Sequence, residues 1–97
     1  MSERTDQEKC RIEVHYSGHV QGVGFRYTAR SLARGFDVAG FVRNLPDGGV
    51  QLVVEATPDE ARRFLDALAS QLRHYVTSAP ETIGPATGRF QGFEIRF

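Results

Sequence analysis

Gly18-His19-Val20-Gln21-Gly22-Val23-Gly24-Phe25-Arg26 joins two different hydrophobic periodicities, and the rest of the chain is organised around it. Upstream, Ile12, Val14 and Tyr16 alternate with Arg11, Glu13 and His15, which predicts a half-buried strand ended by Ser17-Gly18. Downstream, Phe25, Thr28, Ala29, Leu32, Ala33 and Phe36 recur at helical spacing, with Gly35 as the stop. The stretch between them is a strand-to-helix loop with closely spaced glycines. Main-chain N–H groups freed by glycine geometry make a concave nest for an anion, and the helix N-terminus adds partial positive charge. The Arg26 guanidinium can close such a nest with paired hydrogen bonds. The ligand implied is a small phosphorylated or similarly anionic group.

Working outward, residues 38–45 and 49–56 read as two strands joined through Pro46-Asp47-Gly48, a hairpin turn in which glycine accepts the positive φ that reverses the chain. Thr57-Pro58-Asp59-Glu60 is a helix start, with Thr57 as N-cap, Pro58 in the first turn and Glu60 placed to complete a capping box. Ala61, Phe64, Leu65, Leu68 and Leu72 give the following helix its apolar stripe, with Arg62, Arg63, Asp66 and Gln71 facing water. Residues 74–83 have room for one edge strand and 84–91 read as a loop. Phe93, Ile95 and Phe97 alternate as a last strand, with Glu94 and Arg96 opposite. The order is βαββαβ. It predicts an α+β, ferredoxin-like two-layer sandwich: an antiparallel sheet of four or five strands with two helices on one face.

Composition narrows the function classes. The 97 residues are enough for one core and too few for two, and 40% hydrophobic with 25% charged residues is ordinary for a globular protein. Residues 1–9 are polar and charged and read as a flexible N-terminal tail, leaving residues 10–97 as the single domain. With no apolar leader and no apolar run of spanning length, neither a membrane partner nor secretion is expected, and the cytoplasm is the expected location. Twelve basic residues balance twelve acidic ones, so no global field favours nucleic acid and any attraction for an anion is local, centred on Arg26. The one cysteine, Cys10, has no partner for an internal disulfide, which fits a reducing compartment. His15, His19 and His74 lack metal-ligand spacing and have no cysteine partners. A monomer is the default for so small a two-layer domain.

A second block, Gly40-Phe41-Val42-Arg43-Asn44-Leu45-Pro46-Asp47-Gly48-Gly49-Val50, places an asparagine three positions before an Asp-Gly turn. Together with Val20-Gln21-Gly22-Val23-Gly24-Phe25-Arg26, in the same order along the chain, it resembles the signature of the acylphosphatases, and the resemblance extends over residues 10–97. It implies an acylphosphatase-like domain that hydrolyses the carboxyl-phosphate anhydride of a small-molecule acyl phosphate to carboxylate and inorganic phosphate. Carried over residue by residue, it implies that Gln21, Gly22, Val23, Gly24, Phe25 and Arg26 hold the phosphate. It further implies that Asn44 positions the attacking water and leaves proton removal to the substrate phosphate. No covalent intermediate, cofactor or metal is implied, since a good carboxylate leaving group lets positioning and charge stabilisation carry much of the catalysis. The chain departs from the family at Gln51, where a glutamate often follows the hairpin valine, and in residues 77–91, where alignment is weak.

Taken singly, each of these residues has a plainer reading. Gly22 and Gly24 can serve only a tight turn, Arg26 can be a solvated helix charge, and Asn44 can be a turn residue beside Pro46-Asp47-Gly48. The glycine spacing matches neither the Rossmann nor the nucleoside-triphosphate loop pattern. His19 borders the cradle and is placed either to tune its charge or merely to face solvent. The competing function is a non-catalytic ferredoxin-like module that binds a small anion or a protein partner, because fold alone does not decide function. An acylphosphatase-like domain of a larger carbamoyl-transferring maturation protein is a third reading.

Overall fold

The computed structural model describes residues 8–97; residues 1–7, most of the expected tail, lie outside the described residues. Strand β1 (Cys10–Gly18) is followed by helix α1 (Phe25–Ala33), the hairpin of β2 (Ala39–Asn44) and β3 (Val50–Ala56), and helix α2 (Pro58–Leu72). A short 3₁₀ turn (Arg73–Tyr75) then leads into three short strands, β4 (Val76–Ser78), β5 (Glu81–Pro85) and β6 (Phe93–Arg96). β3 lies between β1 and β2 and is antiparallel to both, from Cys10↔Ala56 to Tyr16↔Val50 on one side and from Ala39↔Glu55 to Asn44↔Val50 on the other. This α+β sandwich, two helices on one sheet, is the ferredoxin-like arrangement the element order predicts.

The C-terminal quarter differs from expectation in two respects. Where one edge strand was expected there are two, both on the free edge of β1: β5 pairs with Cys10–Val14 and β4 with Ser17 and Gly18. Pro80 lies between them, lacks an N–H for the ladder, and offers its carbonyl to the His15 N–H at 3.2 Å. The second difference is that the sheet is mixed, because β6 runs parallel to β2, from Gly40↔Phe93 to Arg43↔Arg96. The chain leaves β5 at the Cys10 end of the sheet and re-enters at that same end on the far edge, so β6 must point the way β2 does.

Pleat parity decides what is buried. Ile12, Val14, Tyr16, Val42, Val50, Leu52 and Val54 face the helices and pack against Phe25, Ala29, Ala33, Ala61, Phe64, Leu65, Leu68 and Leu72, the α2 stripe read from the sequence. The opposite face of the sheet is not bare. The connection between β5 and β6 folds back over it: Phe90 packs on Phe41 with ring centroids 5.8 Å apart, and Val53 beneath is fully buried. Glu55, only 4% exposed, anchors that connection by accepting from the Thr87 N–H (2.8 Å), the Thr87 hydroxyl (2.8 Å) and the Gly88 N–H (3.0 Å). Burial alone would raise its pKa; these bonds and the Arg11 charge outweigh it and hold the carboxyl below the usual carboxylate range.

Candidate active site

The loop between β1 and α1 is anchored at both ends and open in the middle. Val20 is fully buried, and Phe25, also buried, sets its ring against Tyr16 at 4.7 Å between centroids. Burial, and next the nearby Glu81 carboxylate, push the Tyr16 phenol above its ordinary pKa, so this support stays neutral. Between the anchors, Gly22 and Gly24 both adopt φ of +80°. Such left-handed residues among right-handed or extended ones turn successive N–H groups toward one side. Among the described residues, none of the main-chain N–H groups from Gln21 to Tyr27 has a protein acceptor; the first intrahelical bond of α1 is from Thr28 N–H to Gly24 O, at 2.9 Å. Gly24 is the N-cap of α1 and supplies no side-chain cap, and the first turn of that helix contains no acidic residue. Among the described residues, the orphan donors of this helix N-terminus are therefore left without a protein partner.

Asn44 reaches this place from the other side. It is the last residue of β2, on the same pleat face as Gly40 and Val42, and it is half-buried. Val20, Gly22, Gly24, Phe25, Arg26, Tyr27 and Asn44 line a single cavity of about 230 Å³. Arg26, in the first turn of α1, is also half-buried. Its guanidinium stacks over the Phe97 ring at 4.7 Å and makes a long 3.5 Å hydrogen bond to the Arg96 carbonyl. A cavity lined by an arginine, a carboxamide and unpaired main-chain donors suits a doubly charged oxyanion of phosphate size. Among the described residues, its lining has no carboxylate or imidazole to act as a general base.

Of the residues singled out from the sequence, Arg26, Asn44, Gly22, Gly24 and Phe25 meet at this cavity, while Gln21 and Val23 are not among its lining residues. Gln21 is turned toward the hairpin, where its Nε2 donates to the carbonyls of Leu45 and Gly49, both at 2.8 Å. His19 is exposed and is not part of the lining. Tyr27, which sequence reading passed over, lines the cavity and is 58% exposed, with the Arg30 guanidinium 5.3 Å from its ring centre. Its signal was the missing burial: on a helix whose buried residues are Phe25, Ala29 and Ala33, a tyrosine at 27 falls on the outward side. The described residues contain no cluster of three or more His, Cys, Asp or Glu side chains placed to hold a metal ion, and no helix long and apolar enough to cross a membrane.

Comparison with known proteins gives a consistent family. The acylphosphatase family model matches residues 12–95. The chain is 39% identical to an acylphosphatase of Nocardia farcinica over 90 residues, covering 92% of this chain and 90% of that one. It is 38% identical to an acylphosphatase of Salinibacter ruber over 96 residues, with 95% and 97% covered. Among solved structures, the crystal structure of acylphosphatase from Bacillus subtilis superimposes with a TM-score of 0.81 at 27% identity, over 91% of this chain and 99% of that chain.

Proposed function

The chain belongs to the acylphosphatase family, and from that premise we propose that Arg26 and the N–H groups of residues 21–26 bind the phosphate of an acyl phosphate while Asn44 presents the attacking water. The observation that carries this reading is that, among the described residues, the main-chain N–H groups from Gln21 to Tyr27 have no protein acceptor, and that Gly22, Gly24, Phe25, Arg26 and Tyr27 of this stretch line one cavity with Asn44.

In the proposed reaction the water oxygen attacks phosphorus, the bond from phosphorus to the acyl oxygen breaks, and the bonding pair leaves with the carboxylate. The water proton goes to a phosphate oxygen, giving inorganic phosphate. With no carboxylate or imidazole among the described residues of the lining, the substrate's own oxygens serve as the base, and an anhydride with so stable a leaving group needs no stronger one. The Asn44 carboxamide both donates and accepts, so it can hold water by its oxygen or a phosphate oxygen by its amide. Arg26 and the loop donors act where charge concentrates on the transferring group, in a site whose dipoles need no rearrangement during reaction.

The test is hydrolysis of benzoyl phosphate by the purified protein in the presence of chelator, beside Arg26→Ala and Asn44→Ala variants whose folding is checked by circular dichroism. The wild type is expected to turn over, and each variant to lose on the order of a hundredfold to a thousandfold in kcat/KM, the range seen when one transition-state donor is removed. Wild-type rates in both folded variants would refute the assigned roles. Binding of inorganic phosphate with no turnover of acyl phosphates would instead favour a module that holds an anion without reacting it.

A further inference from the structure

The cradle and Asn44 lie on different elements, and their separation has to be held to a fraction of an ångström for a water between them to be in line with the phosphorus. α1 fixes Arg26, and the glycine conformations fix the loop. Asn44, however, stands at the end of β2 where the hairpin turn begins, so something must tie the turn to the cradle. Gln21 makes that tie. Its Nε2 donates to Leu45 O and Gly49 O, both at 2.8 Å, and these carbonyls belong to the two residues that close the turn. The same two residues are joined by the Leu45 N–H to Gly49 O bond at 2.8 Å, and Gly48 N–H donates back to Leu45 O at 3.1 Å. One amide group thus spans from the cradle loop to both sides of the hairpin turn, and one acceptor belongs to the residue directly after Asn44. The chemistry selects glutamine: two carbonyl oxygens facing one position demand a group with two donors, which the carboxamide has and an isosteric glutamate lacks.

We propose that Gln21 is a positioning residue for the hydrolysis, setting the distance between the phosphate cradle and Asn44 through its amide bonds to the hairpin turn. The inference rests on the roles proposed above for Arg26 and Asn44. It assigns the Gln21 side chain a task distinct from the phosphate contact proposed for its main-chain N–H.

The experiment is a double-mutant cycle in the full chain, with kcat on benzoyl phosphate and competitive inhibition by inorganic phosphate as the readouts. Gln21→Glu replaces the donors with oxygens that repel the two carbonyls. Gln21→Met removes the donors without adding charge and keeps the test available should the carboxylate open the hairpin. Each is expected to lower kcat by about tenfold to a hundredfold, the scale of a small misplacement of a reacting group, and in Gln21→Met, which adds no charge beside the cradle, phosphate inhibition should change by less than about twofold. In an Asn44→Ala background Gln21→Met should change the residual kcat by less than about twofold, since a residue that acts through Asn44 has nothing left to position. A role confined to stability would lower Tm and leave kcat of the folded protein unchanged, and that result overturns the proposal. So do losses that multiply in full with the loss caused by Asn44→Ala. If Asn44→Ala alone keeps the wild-type kcat, the water-positioning reading itself fails and this inference falls with it. If Asn44→Ala is impaired and both Gln21 variants are not, only this inference fails.

Discussion

Main-chain N–H groups converge at the N-terminus of α1 and at the N-terminus of α2, and the two ends are finished in opposite ways. At α2 the chain closes its own donors: Thr57 Oγ1 accepts from the Glu60 N–H at 3.4 Å, Pro58 removes one donor, and Asp59 and Glu60 bring negative charge to the first turn. The reciprocal arm of the expected capping box is not used, because Glu60 accepts instead from the Asp37 N–H at 2.8 Å and ties α2 to the segment leading into β2. A third convergence, at Thr87 and Gly88, is filled by the Glu55 carboxylate. At α1 there is no side-chain cap, no acid in the first turn, and, among the described residues, no protein acceptor for the donors of residues 21–27. On the proposed reading, the donors left open at α1 are the ones an anionic ligand would complete.

The contrast is broken most severely by changing what completes the open end. Arg26→Lys keeps the charge but loses the planar fork, and about a hundredfold loss of kcat/KM on benzoyl phosphate is expected, with Michaelis kinetics as the check. Gly24→Asp would give α1 an internal anion of the sort that α2 has. Nothing lies within 4 Å of the added Cβ, so the consequences are backbone strain at φ +80° and repulsion of a bound anion. Inhibition by inorganic phosphate should weaken by about tenfold or more, as for like charges near a protein surface. Unchanged inhibition would mean that the anion does not sit against the α1 N-terminus.

At the filled sites the effects should fall on stability alone. Because the folded-state pKa of Glu55 lies below its unfolded value, the stability it contributes is present above the ordinary glutamate range and is lost as pH falls through that range to the folded value. Glu55→Gln should cost about 1–3 kcal/mol at pH 7, the range for disrupting a buried, charge-assisted group, and the difference from wild type should vanish toward low pH. Urea midpoints from pH 7 to pH 2 measure this; a difference that persists undiminished in acid would contradict it. Smallest is Thr57→Ala, expected to cost about 1 kcal/mol, a fall of about 4–8 °C in Tm for a domain of this size, with kcat unchanged. A fall in kcat of the folded variant would show that the two helix ends are not independent.

What could be read from the sequence follows from how local each signal is. The cradle was legible because its pieces are adjacent: a strand ending at Gly18, two glycines that take positive φ, and an arginine one residue into a helix. The β2–β3 hairpin and the α2 stripe were legible for the same reason, since turn chemistry and a 3.6-residue period are written in consecutive residues. The C-terminal quarter was less legible. Residues 76–85 form two short strands interrupted at Pro80, and nothing local says that both lie on the same edge of β1. Glu55, inside an apolar strand, gave no sign that its partners would be Thr87 and Gly88, more than thirty positions away.

The order of elements from β1 through α2, the apolar faces, the two open-φ glycines and the presence of one arginine and one asparagine in motifs of known order were already written in the residues, because these depend on periodicity and backbone preference within a few positions. Only the tertiary structure decided that Arg26 and Asn44 face one cavity, that β6 is parallel to β2, that the Glu55 carboxylate fills one nest while another stays open, and that the Gln21 amide turns from the cradle to grip the hairpin. Each of these is a contact between residues distant in sequence, set by sheet register and by which donors other parts of the chain have already satisfied, and no local pattern encodes it.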